Sequence, residues 1–458
     1  MAAGSREQAE QRLAQLERLL RSGPRTAAEL THSLGLSQPT LSRTVAAHSD
    51  VLQPFRVRGD RTPKYGMLRK LPAGLPAVQR ISRIGQDGSV AHFAEVAFLS
   101  GGSTLETNAE GSTLYEGLPP YMAFSAPSGF LGQQIARDVS AEMQFPESLK
   151  DWGDDHRIAY LFTRGFNLAG NLVYGEVPLE REMAFRKEQA LPVANKLEHY
   201  VNMAARLRDA AYGSSAGGEQ PKFLSLVDDA GHVIVKFARE GTRMADLLPM
   251  EHAALRALEA VGVPAASTAP LAAGGYVFLE VQRFDRIGRN GRVGMLSCGS
   301  IDDEFFGRRD SWSEFAARAE KAKYLSSADA RNIDVMSAFS ELIGNSDRHF
   351  ENISMLVDDE GEYAGLAPAY DILPMRYASI GGGLDAELKP LAPKIGTIGA
   401  KPEVWERAAA AACSFWQRVA ADGLSQPVSP AFQHLATQNL AVVQSFVEPL
   451  VPRKGPLL

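Results

Sequence analysis

The sequence predicts an α+β protein built in three parts: a helical head with a β hairpin, a mixed α/β lobe and a mostly helical lobe. Three observations support this. Apolar residues recur at helical spacing from Leu13 to Val45 and lead into a basic segment centred on Gly59. Strand-like runs and Gly-rich turns mark the stretch from about residue 80 to 280. Residues 313–322, 328–343 and 403–421 then have helical content without strand alternation. The expected division is 1–70 for the head, 78–280 for the mixed lobe and 281–452 for the helical lobe; 458 residues at about 150 per domain agree with three parts.

Hydrophobic residues make up 45% of the chain and charged residues 22%, so a folded protein with a sizeable core is expected. The net charge of −6 excludes a generally basic nucleic-acid coat. It is unevenly spread: the first 70 residues carry +6 and the remaining 388 carry −12. That asymmetry points the head, not the body, at an anionic partner. The two cysteines, Cys298 and Cys413, allow neither a disulfide framework nor a Cys-rich zinc site, and they suit a reducing compartment. The N-terminus lacks the apolar core of a secretory signal, and no run approaches the ~18 apolar residues of a membrane span. A cytoplasmic protein with no membrane partner is expected.

In the head, Leu13, Leu16, Leu19 and Leu20 give one helix, broken by Gly23-Pro24. Thr26 with Glu29 forms a capping-box pattern for a second helix over 27–34, which Gly35 ends. Ser37 and Pro39 open a third, with Leu41 and Val45 facing inward. Helix, Gly-containing turn, helix is the helix-turn-helix arrangement. Gln38, Thr40, Ser42 and Arg43 lie on the early, outward part of the third helix, where base edges are read. The segment Phe55-Arg-Val-Arg-Gly-Asp-Arg-Thr-Pro-Lys-Tyr65 reads as a two-stranded wing whose Arg56, Arg58, Arg61 and Lys64 neutralise phosphates. A winged helix-turn-helix that binds DNA is the expectation; a protein-interaction or dimerisation module is the alternative.

Residues 71–77, Leu-Pro-Ala-Gly-Leu-Pro-Ala, have the composition of a linker, and Val90–Phe98 is strand-like. Asp154-Asp-His-Arg157 is polar but lacks further spaced ligands, so it reads as a turn or helix cap rather than a metal site.

The second half carries the chemistry. Ser214-Ser-Ala-Gly-Gly-Glu-Gln-Pro-Lys-Phe-Leu-Ser-Leu226 places a small-residue loop before a strand-like run, and 232–237 forms a second run after a hairpin turn at Asp228-Asp-Ala-Gly231. Gly-rich backbone approaches phosphate oxygens closely because no Cβ intervenes. A strand Lys, Lys236, then follows, which is the protein-kinase order rather than the Walker A order. Alone this is equally a Gly-Gly hairpin with a snorkelling lysine.

Further on, Ile343-Gly-Asn-Ser-Asp-Arg-His-Phe-Glu-Asn-Ile-Ser-Met355 sets Asp347 and Asn352 five residues apart at the end of an apolar helix. That is the separation of a kinase catalytic Asp, which orients the attacking hydroxyl, from the Asn that ligates Mg²⁺. Leu366-Ala-Pro-Ala-Tyr-Asp-Ile-Leu-Pro374 brings Asp371, 24 residues after Asp347, as a second carboxylate for metal. Each residue alone has a bland reading as a cap or turn; the ordered set does not.

These strings, with Arg283-Phe-Asp-Arg286, resemble the HipA-like kinase family, toxins of bacterial type II toxin–antitoxin systems and their relatives, over roughly residues 80–452. The fused helix-turn-helix resembles the YjjJ-like subgroup. The resemblance implies a bilobal, protein-kinase-like fold with a mixed α/β N-lobe and a helical C-lobe. It implies Asp347 as the catalytic Asp with His349 and Arg348 supporting it, and Asn352 and Asp371 as ligands of Mg²⁺. ATP would be held by Ser215, Ala216, Gly217, Gly218 and Lys236, with the backbone of Gln282 to Phe284 beside the adenine. Ser215, with Ser214 next to it, would be the autophosphorylated loop serine. Known substrates in the family include aminoacyl-tRNA synthetases. Two departures stand out: the DNA-reading module is on the same chain instead of on a separate antitoxin, and the loop reads Gly-Gly-Glu-Gln-Pro.

The expected function is an ATP- and Mg²⁺-dependent serine/threonine protein kinase of toxin type. It would bind its operator DNA through the head, as a winged-helix homodimer would on a palindrome. The alternatives are a transcription regulator whose kinase-like body senses nucleotide without transfer, and a small-molecule phosphotransferase.

Overall fold

The computed structural model describes residues 2–211, 220–380 and 384–451. It divides into two compact units, Met1–Pro127 with Ile135–Lys187, and Ser128–Gln134 with Glu188–Leu458.

In the first unit, helices α1 (Ala2–Leu20), α2 (Ala27–Leu34) and α3 (Gln38–Ala46) share a core of Leu16, Leu20, Leu30, Leu41 and Val45. Strands β1 (Arg25–Thr26), β2 (Leu52–Phe55) and β3 (Lys64–Met67) form an antiparallel sheet in the order β1-β3-β2. Pro54 is tolerated because β2 is an edge. The capping box at α2 is formed: Glu29 N–H donates to Thr26 Oγ1 at 3.2 Å and Thr26 N–H to the Glu29 carboxylate at 2.7 Å. Losing such a cap costs about 1 kcal/mol. Gly35 closes α2 at φ 62°.

Two details differ from the sequence expectation. Ser37 precedes α3 without capping it; its hydroxyl pairs with that of Thr40 at 2.9 Å. The wing strands lie outside the basic run: only Phe55, Lys64 and Tyr65 of that segment are in strands, and 56–63 is the connecting loop. The buried residues Leu52, Phe55 and Tyr65 flank the arginines, and of the 56–63 segment Val57 is the apolar residue that packs, against Phe55, Leu99 and Leu105.

The same unit holds an antiparallel sheet of β4 (Val78–Ile84), β5 (Val90–Phe98), β6 (Ser103–Asn108), β7 (Gly111–Glu116) and β8 (Leu172–Tyr174) in the order β7-β6-β5-β4-β8. Helices α4 (Pro120–Ser125), α5 (Gly129–Met143, of which 135–143 belongs to this unit), α6 (Asp154–Arg164) and α7 (Glu176–Phe185) accompany it. Met122, Ile158, Leu161 and Phe162 pack with Ile81, Val96, Phe98 and Tyr174. The Asp154-Asp-His-Arg157 cluster is a helix start, where Gly153 N–H donates to His156 Nδ1 at 3.1 Å.

Residues 71–77 are not a free tether. Leu71 is buried in the same core and Pro72–Gly74 makes a tight turn. A further cluster joins Phe55, Val57 and Leu68 of the head to Ala97, Leu99 and Leu105 of the sheet. Backbone bonds add to it: Arg69 N–H to Phe98 O at 2.8 Å and Arg58 N–H to Ser112 O at 2.7 Å. Gly101, at φ 81°, sits where a Cβ would come within 2.6 Å of the Ser22 backbone.

In the second unit, α8 (Val193–Ala211) and α9 (Arg243–Ala260) cover opposite faces of a sheet made of β9 (Lys222–Val227), β10 (Gly231–Arg239), β11 (Thr268–Ala273) and β12 (Tyr276–Gln282), ordered β11-β12-β10-β9. Side chains alternate with period two. Val233, Val235, Phe237 and Phe278 meet Tyr200 and Ala204 of α8. Ile234, Ala238, Leu279 and Val281 meet Ala245 and Leu248 of α9. A short hairpin, β13 (Arg286–Ile287) and β14 (Gly291–Arg292), follows.

A second sheet, β15 (Gly294–Ser297), β16 (Ser354–Val357) and β17 (Tyr363–Leu366), lies beside helices α10 (Cys298–Phe305), α11 (Trp312–Lys321), α12 (Ser327–Ile343), α13 (Pro402–Ala420) and α14 (Pro430–Val447). A two-residue pairing joins β18 (Ser379–Ile380) to β19 (Leu384–Asp385). The helices enclose the largest core, including Phe339, Trp405, Phe415, Trp416 and Phe432. The expected helices at 313–322, 328–343 and 403–421 correspond to α11, α12 and α13 within a residue or so at each end. No helix among the described residues is long and apolar enough to cross a membrane.

Gly101 and Gly102 both have positive φ, but only Gly101 faces the Ser22 backbone, while nothing lies within 4 Å of a Cβ at Gly102. Gly102→Ala is expected to cost about 1 kcal/mol for its backbone conformation. Gly101→Ala is expected to cost about 2–4 kcal/mol, the overlap being added. Denaturant midpoints of the two variants measure the difference, and equal midpoints would mean the head does not press on this turn.

Candidate active site

The alternation of β10 decides where Lys236 points. It shares a strand face with Ile234 and Ala238, so it lies under α9, and it is 4% exposed. An ammonium in that position needs a counter-charge. Glu251 of α9, 1% exposed, supplies it, with Oε1 and Oε2 at 2.6 and 2.7 Å from Nζ. Asp371 contacts the same Nζ from a chain segment 135 residues away. Burial works against the ammonium, but the charges of Asp371 and Glu251 outweigh it and raise the Lys236 pKa. Burial likewise pushes Asp371 upward, and Lys236 and then Lys222 more than reverse it, holding the carboxyl well below its usual range.

Asp371 is held by its own segment. Ala369 N–H bonds Pro264 O at 2.8 Å and Ala266 N–H bonds Ala369 O at 2.9 Å, a parallel bridge that carries the chain past the start of β11. Asp371 then turns at φ 53°, a left-handed conformation uncommon for a residue with a side chain. Buried Ile372 and Leu373 anchor the other side.

The Asp347 loop leaves α12 at Gly344, φ 78°. Buried Asn345 accepts from Asp347 N–H at 3.0 Å. Asn352 donates Nδ2 to Asp347 O at 2.9 Å and to Asp347 Oδ2 at 3.4 Å. That leaves the Asn352 carbonyl oxygen, a hard donor, as the atom able to meet a cation. His349 sits between two carboxylates, Nε2 at 3.5 Å from Asp347 and Nδ1 at 3.3 Å from Glu351. The Glu351 hydrogen bond, against burial, raises the His349 pKa, with Asp347 adding to it. In return His349, and then Arg309, draw Glu351 down to about 2. Trp312 Nε1 donates to His349 O at 3.0 Å. Tyr370, next to Asp371, donates to Glu351 O at 2.8 Å, so the two acid-bearing segments are tied directly.

Lys236 thus meets Asp371, and His349, Asp347 and Asn352 are linked by contact from one to the next, the two groups being joined through the Tyr370–Glu351 hydrogen bond. Gln282 ends β12, with its N–H on Ser267 O at 2.9 Å, and Phe284 packs on Tyr370 with ring centroids 5.7 Å apart. Ser214, Ser215, Ala216, Gly217 and Gly218 lie outside the described residues. The oxygen donors Asn352 and Asp371 fit Mg²⁺ in kind.

Sequence reasoning missed Glu251 and Asn345. Glu251 had a signal: it is an acid at helical spacing between the buried Leu248 and Leu255, 15 positions after Lys236. Asn345 had none, because its role is a turn bond and burial.

In the head, Gln38, Ser42 and Arg43 are exposed on α3, and Thr40 is half-buried. Arg56 and Arg61 are exposed in the 56–63 loop. Arg58 is paired with Glu110, and Lys64 with Asp60 at 3.2 Å. Two of the four expected phosphate-neutralising cations therefore already have partners.

Two family models match the chain: "YjjJ-like toxin, middle domain" over residues 75–183 and "HipA-like C-terminal domain" over 214–436. The Escherichia coli (strain K12) protein Toxin YjjJ is 32% identical over 97% of this chain and 100% of its own length. The fold is similar to that of a Shewanella oneidensis MR-1 HipA, solved with HipB and operator DNA: TM-score 0.53, 15% identity, 80% of this chain and 97% of that one. A Helicobacter pylori proinflammatory kinase, CtkA, superposes with TM-score 0.35 and 12% identity over 49% of this chain and 90% of that one.

Glu251→Ala is expected to lower stability by about 3 kcal/mol, since it strips one partner from a buried charge. Glu251→Gln, which keeps an acceptor, is expected to cost less. Urea midpoints at unchanged m-value check both; a wild-type midpoint in Glu251→Ala would show that Lys236 does not depend on α9.

Proposed function

The chain belongs to the YjjJ-like family of HipA-like toxins, and from that premise we propose that it is an ATP- and Mg²⁺-dependent serine/threonine protein kinase that also reads DNA through its own head. The observation that carries this is the contact of one buried ammonium, Lys236, with both the α9 acid Glu251 and the loop acid Asp371. A strand Lys paired with a helix Glu, beside a metal-binding Asp, is the working arrangement of protein kinases.

In this reading Lys236 stays charged and meets the nucleotide's phosphates. Asn352 and Asp371 hold Mg²⁺, which supplies positive charge to the transferring phosphoryl group when bound. Asp347, fixed by Asn345 and Asn352, orients the acceptor hydroxyl and takes its proton. Catalysis is then mostly positioning and charge neutralisation. Ser215, Ala216, Gly217 and Gly218, outside the described residues, are assigned to phosphate binding and Ser215 to self-modification, while the backbone of Gln282 to Phe284 borders the base.

For the head we propose a winged helix in which α3 enters the major groove through Gln38, Ser42 and Arg43. The Shewanella HipA was solved with HipB and operator DNA; here one chain would supply both the toxin body and a DNA reader. The division is accordingly a reader at 1–70, a middle and nucleotide-binding part at 78–280 and a catalytic lobe at 281–452.

Asp347→Asn is expected to lower transfer of labelled phosphate from ATP to protein by roughly 10²–10⁴-fold. Asp371→Asn should act similarly with its backbone intact, because Asn tolerates the left-handed conformation. Full activity in both variants would remove the kinase reading, and a labelled metabolite in place of a protein would favour the small-molecule phosphotransferase.

Arg43→Ala is expected to weaken DNA binding and reduce the salt slope by about one. Arg58→Ala is expected to do less, since Glu110 already neutralises it. Titrations of labelled DNA across a salt series compare them; unchanged slopes in both would make the head a protein-binding module.

A further inference from the structure

A cleft of about 750 Å³ opens on Asp347 and is lined by Trp312, Arg348, Arg376, Lys394 and Ile395 among others. A smaller hollow of about 150 Å³ shares Arg348 and Arg376. Most of the charges on these walls already have partners. Asp310 is bound by both terminal nitrogens of Arg318, at 2.6 and 2.9 Å. Glu341 takes Arg348 at 2.8 Å, and Asp347 faces His349 at 3.5 Å. Arg376 and Lys394 differ: both are exposed, and neither forms an ion pair among the described residues.

Their backbones are fixed to the turn that launches the Asp347 loop. Arg376 N–H donates to Gly344 O at 2.9 Å, and Lys394 N–H donates to Glu341 Oε1 at 3.0 Å. Two uncompensated cations are therefore held three to six residues upstream of Asp347 at their anchor points. Beside Lys394, Ile395 is 37% exposed, a large apolar side chain left open on the same wall.

We propose that this cleft seats the acceptor segment, and that the segment carries carboxylate side chains flanking its hydroxyl, read by Arg376 and Lys394. The inference rests on the kinase reading and deepens it by naming the substrate class. The physical need is plain: Asp347 and a triphosphate make the reaction centre strongly anionic, which repels an acidic peptide unless nearby cations offset it. Arg376 and Lys394 are placed to do so, and Ile395 offers an apolar neighbour of the acceptor a surface to cover.

The test is binding of three fluorescent peptides, each with one serine flanked by Glu, Gln or Lys, to the full chain by anisotropy across a salt series. The Glu peptide is expected to bind about tenfold more tightly than the Gln peptide, with salt reducing the difference. Arg376→Gln and Lys394→Gln are each expected to remove about three- to fivefold of that preference. Arg376→Glu combined with Lys394→Glu is expected to move the preference to the Lys peptide. Equal binding of all three peptides, or tighter binding of a single-stranded oligonucleotide than of the Glu peptide, overturns the proposal. Phosphate transfer, measured alongside, separates the two readings. Preferential binding of and transfer to the Glu peptide supports both, charge-selective binding without any transfer sinks the kinase and the acceptor role with it, and equal transfer to all three peptides keeps the kinase and sinks the inference.

Discussion

A buried ammonium organises the second unit. Lys236 is closed in between β10 and α9, and a lone charge there would cost several kcal/mol. Its two carboxylates come from places the chain reaches by different routes, Glu251 on the helix that follows the strand and Asp371 on a turn far downstream. The charge therefore constrains how α9 rotates on the sheet and where the 367–374 segment runs. The left-handed backbone at Asp371 is strain of order 1–3 kcal/mol that this ion pair offsets.

The Asp347 loop is held differently, by short-range hydrogen bonds. Asn345 and Asn352 bracket Asp347 through its N–H and C=O, and Trp312 fixes the carbonyl of His349. Tyr370 then bonds Glu351 O, joining this loop to the Asp371 turn through one hydroxyl. At Gly344 a Cβ would come within 2.8 Å of Leu391, so the sharp exit from α12 needs glycine for space as well as for φ. The loop spends several of its polar groups on one another, and the Asn352 carbonyl oxygen is left to face a ligand.

The head and the sheet that follows it are one packed body within the first unit. Phe55, Leu68, Leu99 and Leu105 form a common cluster, and Leu71 is buried where linker composition suggested a tether. Pro and Gly report backbone preference; they do not report whether the neighbouring leucine finds a pocket. The orientation of α3 is therefore set by the β4–β8 sheet rather than by a flexible connection.

Period and punctuation made most elements legible. The capping box at Thr26, the glycine past α2, the strand at Val90–Phe98, and α11 to α13 follow from local rules that act over a few residues. The spacing of Asp347 and Asn352 was equally local, because both sit in one loop. What the residues by themselves determined is which segments bend, which extend and which carry acid or base. What only the tertiary structure decided is pairing: that Lys236 faces Glu251 and Asp371, that Arg58 is held by Glu110, and that the wing's arginines fall in a loop. Such pairing depends on which face of a strand meets which helix, and on charges brought together across 15, 52 and 135 residues. No window of sequence contains that information, because it is the burial of the whole core that fixes it.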